Sequence, residues 1–107
     1  MTVTEKIYFT ITGTGHHYGL GFFEPGQKVK LVKDPDNEYD SEAIKVEMEG
    51  LGQVGWVANS ISTKLGESLS SGRLYDRIGD TASGEVVYVL NRGVLCTLVQ
   101  TPDDLQQ

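Results

Sequence analysis

Apolar and polar residues alternate in several short stretches of this chain, which is the pattern of β-strands that bury one face. In one stretch Val29 and Leu31 would face a core, while Lys28 and Lys30 would face solvent. The predicted strands are Lys6 to Thr14, Gln27 to Lys33, Ala43 to Met48, Gln53 to Ala58, Ala82 to Leu90 and Val94 to Gln100. Strands this short, joined by short loops, predict a mainly β fold, a small and partly closed antiparallel barrel of about six strands.

One helix is predicted between the fourth and fifth strands, over residues 60–70. Its apolar face would consist of Ile61, Leu65 and Leu69, which recur at helical spacing. Asn59 or Ser60 is suited to cap its first turn. The segment 73–80 is left open as a loop or a helical turn. The expected architecture is therefore a barrel with one amphipathic helix over one end.

The length of 107 residues indicates one domain, predicted to span residues 1–107 with an ordered core of roughly 6–100. Cys96 is the single cysteine, which excludes an intramolecular disulfide and a thiol-based zinc site. No apolar run is long enough to span a membrane, and the first residues lack the apolar core of a signal peptide. We expect a cytoplasmic protein without membrane contact, and the sequence does not predict its oligomeric state.

The formal net charge is −6, from 15 acidic and 9 basic residues. The basic residues are scattered, which argues against broad clamping of a duplex, because that mode neutralises many phosphates. A small site that contacts about one or two phosphates is compatible with this charge. Lys28 and Lys30, on one face of a predicted strand, are the candidates for such a contact.

Motifs that suggest a bound ion or cofactor each lack a required part. The alternating acids of residues 34–42 follow calcium-loop spacing, but Tyr39 replaces the required glycine and Lys45 replaces the bidentate glutamate. His16 and His17 have no cysteine or further histidine to complete a metal site. The glycine-rich stretch around them is not followed by a helix that would hold a pyrophosphate. No pattern of nucleophile, base and acid is present either, so we predict no catalytic residues, no metal and no cofactor, and hence no enzyme.

The segment 34–46 is the most informative part of the chain. It places five acidic residues, a proline and Asn37 in one turn, and an apolar strand that begins at Ala43 follows at once. A polar turn this dense, held between two strands, exceeds what a connection needs. It therefore indicates a site that is presented to a ligand.

Four stretches carry a family resemblance, in this order and at suitable spacing: the glycine-flanked aromatic loop 13–19, Val29-Lys30-Leu31, Asp34-Pro35-x-Asn37-x-Tyr39-Asp40-x-x-Ala43-Ile44-x-Val46, and Val54-Gly55-Trp56-Val57. Together they resemble the HIRAN domain. The resemblance covers residues 7–69 well and the last two strands by pattern only. It implies a small OB-like β-barrel that binds single-stranded DNA at its 3′-hydroxyl end, in a context of DNA repair or replication. Such domains occur in eukaryotic helicase-like translocases and as small bacterial proteins, and this chain resembles the second kind.

The resemblance also implies roles for the residues of the turn. Tyr39 and Asp40 match the pair that lies at the DNA end, whereas Asn37 and Asp34 would shape the turn. A carboxylate at Asp40 would accept a hydrogen bond from a terminal hydroxyl and would repel a terminal phosphate. The ring of Tyr39 would stack on the last base.

Further contacts are expected from rings and cations elsewhere in the chain. His16, His17 or Tyr18 would supply a second stacking surface, and Trp56 would line the rim of the groove. Two positions depart from the resemblance. Gly15 stands where the first loop of eukaryotic members has a basic residue, and Asn59 stands where a phosphate-contacting lysine is expected.

These departures predict DNA binding that is weaker and less dependent on salt than in those members. Lys28, Lys30 or Arg92 would be able to compensate, but the sequence does not place them near the turn. The alternative is a protein-interaction module in which the acidic turn 34–42 contacts a basic partner, such as a helicase or nuclease, with weak DNA binding or none.

Overall fold

The computed structural model describes residues 6–16 and 19–99, with the side chain of His16 outside that description. Its elements, in chain order, are β1 (Tyr8–Thr12), a 3₁₀ helix (Thr14–His16), β2 (Lys28–Asp34), β3 (Ala43–Met48), β4 (Gly52–Val57), α1 (Ser71–Tyr75), β5 (Thr81–Leu90) and β6 (Gly93–Val99). All six predicted strands are present, with bounds that differ from the prediction by at most 2 residues.

The strands form one closed antiparallel barrel in the order β1-β4-β3-β2-β5-β6. The barrel closes because β1 pairs with β4 on one side and with β6 on the other, for example Ile11 with Val57 and with Val94. Within the described residues, the prediction of a mainly β barrel of about six strands with one α-helix is therefore confirmed. Closure is complete among the described strands, whereas the sequence predicted partial closure.

The interior of the barrel is filled by the apolar residues of the alternating strands. In β2 the exposed Lys28 and Lys30 alternate with the buried Val29 and Leu31, as the pattern predicted. The largest side chains that are fully buried belong to β1, β2, β3 and α1: Phe9, Ile11, Leu31, Ile44 and Leu74. Among the described residues, no helix is long and apolar enough to cross a membrane.

The prediction of a helix over residues 60–70 is wrong. The chain makes one turn there, in which the amide of Lys64 donates to the carbonyl of Ser60 at 2.9 Å. Gly66 then adopts a φ of +52°, which no right-handed helix accommodates. Ile61, placed on the predicted apolar face, is 90% exposed.

Contacts with β1 explain why this segment is not helical. The amide of Leu69 donates to the carbonyl of Tyr8 at 2.7 Å, and the amide of Leu65 donates to Thr10 Oγ1 at 3.0 Å. Thr10 is buried, and its hydroxyl also pairs with Ser68 Oγ at 2.8 Å. Backbone groups that a helix would have bonded internally are therefore satisfied by β1.

The helix of this structure is α1, immediately after that segment. Ser70 caps its first turn by accepting from the amide of Arg73 at 3.4 Å, and Leu74 anchors it in the core. Only its last three residues, 73–75, lie in the segment 73–80 that the sequence left open, and Gly72, which the sequence suggested as a helix stop, lies within it. Its amino-terminal turn packs against the connection between β2 and β3, and this contact shapes the site described next.

Candidate nucleic-acid interface

The turn between β2 and β3 is built around the side chain of Asn37. Its Oδ1 accepts from the amides of Tyr39 and Asp40 at 2.9 and 3.0 Å, and its Nδ2 donates to Asp34 Oδ2 at 3.2 Å. An asparagine that bonds to the backbone two and three residues ahead is a recurrent means of holding a polar turn. The backbone beneath Tyr39 and Asp40 is thus held by hydrogen bonds before any ligand arrives.

Tyr39 projects from this turn into solvent and is 91% exposed. A large aromatic ring in that position has no packing role in the described structure. Because its backbone is held by Asn37, the ring is presented from a fixed base, as a stacking platform for a planar ligand requires.

Asp40 is half-buried, and each of its carboxylate oxygens accepts one hydrogen bond. Oδ1 accepts from the amide of Glu42 at 2.9 Å, and Oδ2 accepts from Asn59 Nδ2 at 2.8 Å. An ionised carboxylate offers about four acceptor positions. Asp40 is therefore oriented by the protein and still has room to accept a hydrogen bond from a ligand hydroxyl.

Asn59 connects this carboxylate to α1. While its Nδ2 donates to Asp40, its Oδ1 accepts from the amide of Gly72 at 2.8 Å. Ser71 strengthens the same junction, because its hydroxyl donates to the carbonyl of Glu42 at 2.6 Å. The sequence marked Asn59 as a candidate helix cap and as the position of a missing lysine, and the structure shows that it holds Asp40 in place.

Trp56 lies on β4 between two polar neighbours of adjacent strands. Its register partners are Lys45 on β3 and Thr12 on β1. Residues opposite each other in antiparallel strands project from the same face of the sheet, so Lys45 stands beside the indole. The side chain of Lys45 forms no hydrogen bond or ion pair with the described residues, and sequence reasoning did not identify it as a site residue.

Lys28 and Lys30 are not brought to the turn. Lys28 begins β2 and forms a salt bridge with Glu85, while the turn follows the other end of that strand. At a rise of about 3.3 Å per residue, the two ends of β2 are roughly 20 Å apart. Lys30 pairs in register with Glu47. Their proposed contact with phosphate stays a prediction.

The predicted stacking residues of the first loop fall largely outside the described residues. His17 and Tyr18 are not described, and for His16 only the backbone is, at the end of the 3₁₀ helix. The loop does lie beside the indole, since a Cβ added at Gly13 would be 3.2 Å from Trp56 Cδ1.

A pocket of about 200 Å³ opens next to this 3₁₀ helix. Its walls come from the residues that follow β1 and from the hairpin that joins β5 to β6, including Gly15 on one side and Arg92 on the other. The sequence named Arg92 as a possible compensating cation, and the structure places it here.

Two further observations bear on chemistry. No group of three or more His, Cys, Asp or Glu residues within the described parts of the chain is arranged to hold a metal ion. Cys96 is fully buried in β6, and this burial raises the pKa of its thiol to about 12. A thiol in that state is not a nucleophile at neutral pH.

Comparison with known proteins agrees with the fold described above. The family model of the HIRAN domain matches residues 4–99. The HIRAN domain of human HLTF has a similar structure, with a TM-score of 0.59 and 20% identity, covering 94% of this chain and 80% of that one. A structural genomics target from Lactobacillus plantarum is similar with a TM-score of 0.61 and 19% identity, covering 88% of this chain and 93% of that one. Comparison with curated proteins found no match.

Proposed function

Since the chain belongs to the HIRAN domain family, we propose that it binds the 3′-hydroxyl end of single-stranded DNA through the turn that carries Tyr39 and Asp40. HIRAN domains are DNA-binding and generally non-catalytic modules, so at this coarser level the chain is a DNA-binding module. The proposal adds the single strand, its end and the residues that recognise it. A context of DNA repair or replication, in the cytoplasm and with a helicase or nuclease partner, belongs to the same proposal.

The observation that carries the proposal is the state of Asp40. Its carboxylate is held at both oxygens, by the amide of Glu42 and by Asn59, but it is not enclosed. A fixed carboxylate with free acceptor positions suits a terminal hydroxyl, which is a donor. A terminal phosphate at the same place would meet a like charge, which costs roughly 1 kcal/mol in water and more near a protein surface.

The neighbouring rings supply affinity that does not depend on base identity. Tyr39 is exposed beside the carboxylate, and stacking of a base on such a ring is worth about 1–3 kcal/mol. Trp56 lies further along the sheet beside Lys45 and would meet a preceding nucleotide. In this arrangement an acidic protein binds a polyanion at its end, where few phosphates have to be accommodated.

The test compares short oligonucleotides that differ only at the 3′ end. Fluorescence anisotropy at low salt with 3′-hydroxyl and 3′-phosphate strands should show at least about a tenfold preference for the hydroxyl, since 1.4 kcal/mol corresponds to tenfold. Asp40→Asn keeps an oxygen that accepts from Glu42 but removes the charge, so it should largely abolish this preference.

Glu38→Gln is the matched control, because it removes one negative charge from an exposed position of the same turn. It should leave the end preference unchanged and raise affinity for both strands slightly. Equal affinity of the wild-type protein for both ends, or an Asp40→Asn variant that is folded and still prefers the hydroxyl, would refute end recognition.

The acidic turn itself supports a second candidate, a protein-interaction module. Asp36, Glu38 and Glu42 are all exposed there, and they form a negative surface suited to a basic partner. In that case, a purified basic partner should compete with DNA for the turn or bind after nuclease treatment. Charge reversal at Glu38 should then weaken binding of the partner. The wild-type protein should in that case show no preference between the two strand ends.

A further inference from the structure

We propose that the pocket beside the 3₁₀ helix binds an internal phosphodiester of the same strand, with Arg92 as the contacting cation. This inference rests on the proposed function, because it assigns the path of a strand whose 3′ end lies at Asp40. It places a phosphate contact on a hairpin far from the turn in sequence.

The size and walls of the pocket suit a small anionic group. Its volume of about 200 Å³ is below the roughly 300–1,000 Å³ of typical small-molecule sites and well above the ~30 Å³ that one water occupies. Gly13 and Gly15 form part of one wall, and Asn91 and Arg92 form part of the other. Glycine lets a ligand approach the backbone closely, as phosphate-binding loops require.

The charge of the pocket differs from that of the molecule. None of the residues that line it is acidic, although the chain carries a net charge of −6. Arg92 is exposed and has neither a hydrogen bond nor an ion pair with the described residues. Two other cations are already engaged: Lys28 pairs with Glu85, and Lys33 donates to the carbonyl of Ile78. The guanidinium is therefore available for a bidentate contact with phosphate.

The pocket is continuous with the proposed DNA surface. Trp56 is flanked by Lys45 and Thr12 on neighbouring strands, and Thr12 and Gly13 lead into the pocket wall. From β3 across β4 and β1 to β6 there are three strand spacings, about 14 Å in total. A strand whose 3′ end lies at Asp40, and which continues across these strands for a few more nucleotides, would reach Arg92.

The first experiment uses strand length to separate the pocket from the end. A trinucleotide with a 3′-hydroxyl should occupy the site of Tyr39, Asp40 and Trp56 without reaching the pocket, whereas an octanucleotide should also reach the pocket. Arg92→Gln should weaken the octanucleotide several-fold and reduce the slope of log affinity against log salt by about 0.7, the value for one phosphate contact on a single strand. Trinucleotide affinity and the preference for a hydroxyl end should not change.

Lys6→Gln is the matched control for this experiment. Lys6 is exposed and precedes β1 at the end remote from Thr12, about 20 Å away at a rise of 3.3 Å per residue. Both variants lose one positive charge, so a general effect of net charge would appear in both. Only Arg92→Gln should show an effect that depends on strand length.

A second pair of variants alters the opposite wall. A Cβ at Gly15 would have no atom within 4 Å, and its φ is not in the left-handed region, so larger side chains fit there. Gly15→Glu should weaken the octanucleotide at least as much as Arg92→Gln does. Gly15→Gln, of the same size but neutral, should have a much smaller effect.

The outcomes distinguish this inference from the proposed function. One outcome is that the wild-type protein prefers the hydroxyl end but Arg92→Gln and Lys6→Gln have equal effects. This outcome would refute phosphate binding in the pocket and support end recognition. A length-dependent effect of Arg92→Gln without end preference would support the phosphate pocket and refute end recognition. Absence of octanucleotide binding by the wild-type protein at low salt would refute both.

Discussion

At the scale of single residues, the side-chain amide of Asn59 decides how Asp40 is presented. One end of the amide donates to the carboxylate and the other accepts from the first turn of α1. An amide can serve both partners, whereas a lysine has only donors and an aspartate only acceptors. This residue therefore positions the proposed hydroxyl acceptor.

Replacing Asn59 should reduce end recognition more than it reduces stability. Asn59→Ala should lower the preference for a 3′-hydroxyl several-fold, because Asp40 loses its orienting donor, and it should cost about 1 kcal/mol of unfolding free energy. Asn59→Asp has the same shape but places a second carboxylate next to Asp40, so it should lose more. Anisotropy with the two strand ends, alongside urea denaturation, measures both effects. Unchanged end preference in a folded Asn59→Ala would contradict the positioning role.

Cys96 gives a prediction that concerns pH and is independent of DNA. Burial raises the pKa of its thiol to about 12, above the value of about 8.5 in an unfolded chain. The folded state therefore holds this proton where the unfolded state releases it. The contribution of the thiol to stability is complete below about pH 8.5 and is lost as pH rises from there towards 12.

The measurement compares the wild-type protein with Cys96→Ala across pH. The difference in their unfolding free energies should shrink in the alkaline range, by up to about 1.4 kcal/mol per pH unit. A thiol reagent at pH 8 should react slowly with the folded protein and rapidly in denaturant. Fast labelling of the native protein would show that the thiol is accessible.

The part of the site that local hydrogen bonds hold together could be predicted from the sequence. Asn37 precedes Tyr39 and Asp40 by two and three residues, the spacing of a side chain that holds its own turn. The bond from Asn59 to Asp40 spans 19 residues. No local pattern encodes such a contact, because it depends on how β4 and α1 pack against the turn.

At the scale of elements, Gly55 permits the close approach of β4 to β1. A Cβ at this position would lie 2.7 Å from Ile11 Cγ2 and 2.7 Å from the carbonyl oxygen of Thr12. The backbone oxygen cannot rotate out of the way, so any larger residue has to move a strand. This explains in physical terms why the strand that carries Trp56 has a glycine immediately before it.

Gly55→Ala should therefore destabilise the barrel by about 1–3 kcal/mol, the usual cost of overpacking. It should also weaken single-strand binding, since Trp56 moves with β4. Gly21→Ala serves as the control, because a Cβ there meets no atom within 4 Å and its φ is not in the left-handed region. Thermal denaturation checks stability, and equal melting temperatures for the two variants would show that the approach is not tight.

Element types followed from hydrophobic periodicity, but the pairing of elements did not. Alternation located all six strands because each buries one face. The same reasoning failed at residues 60–70, where apolar residues at helical spacing serve different purposes: Leu69 bonds to β1 through its amide, while Ile61 faces solvent. The neighbours Lys45 and Trp56 were also beyond prediction, because their contact depends on strand register.

At the scale of the whole molecule, net charge limits how the protein holds DNA. With a charge of −6 and its basic residues scattered, the chain favours contact with few phosphates. If one or two are held, affinity should fall only about three- to sevenfold between 50 and 200 mM salt, from a slope of about −0.7 per contact. A blunt duplex of equal length should compete poorly. A much steeper salt dependence would contradict a site that holds only one or two phosphates.

The pairing of β1 with β6 has a consequence for how the chain reaches this structure. Tyr8 lies opposite Thr97, so the ring of strands is sealed by segments from opposite ends of the sequence. Contacts this remote cost loop-closure entropy before they contribute, and small barrels dominated by them fold in about milliseconds to seconds. During that interval both seam strands carry unpaired edges, which readily join edges on other molecules. The hazard of aggregation therefore lies in the newly made chain, and it ends when the seam closes.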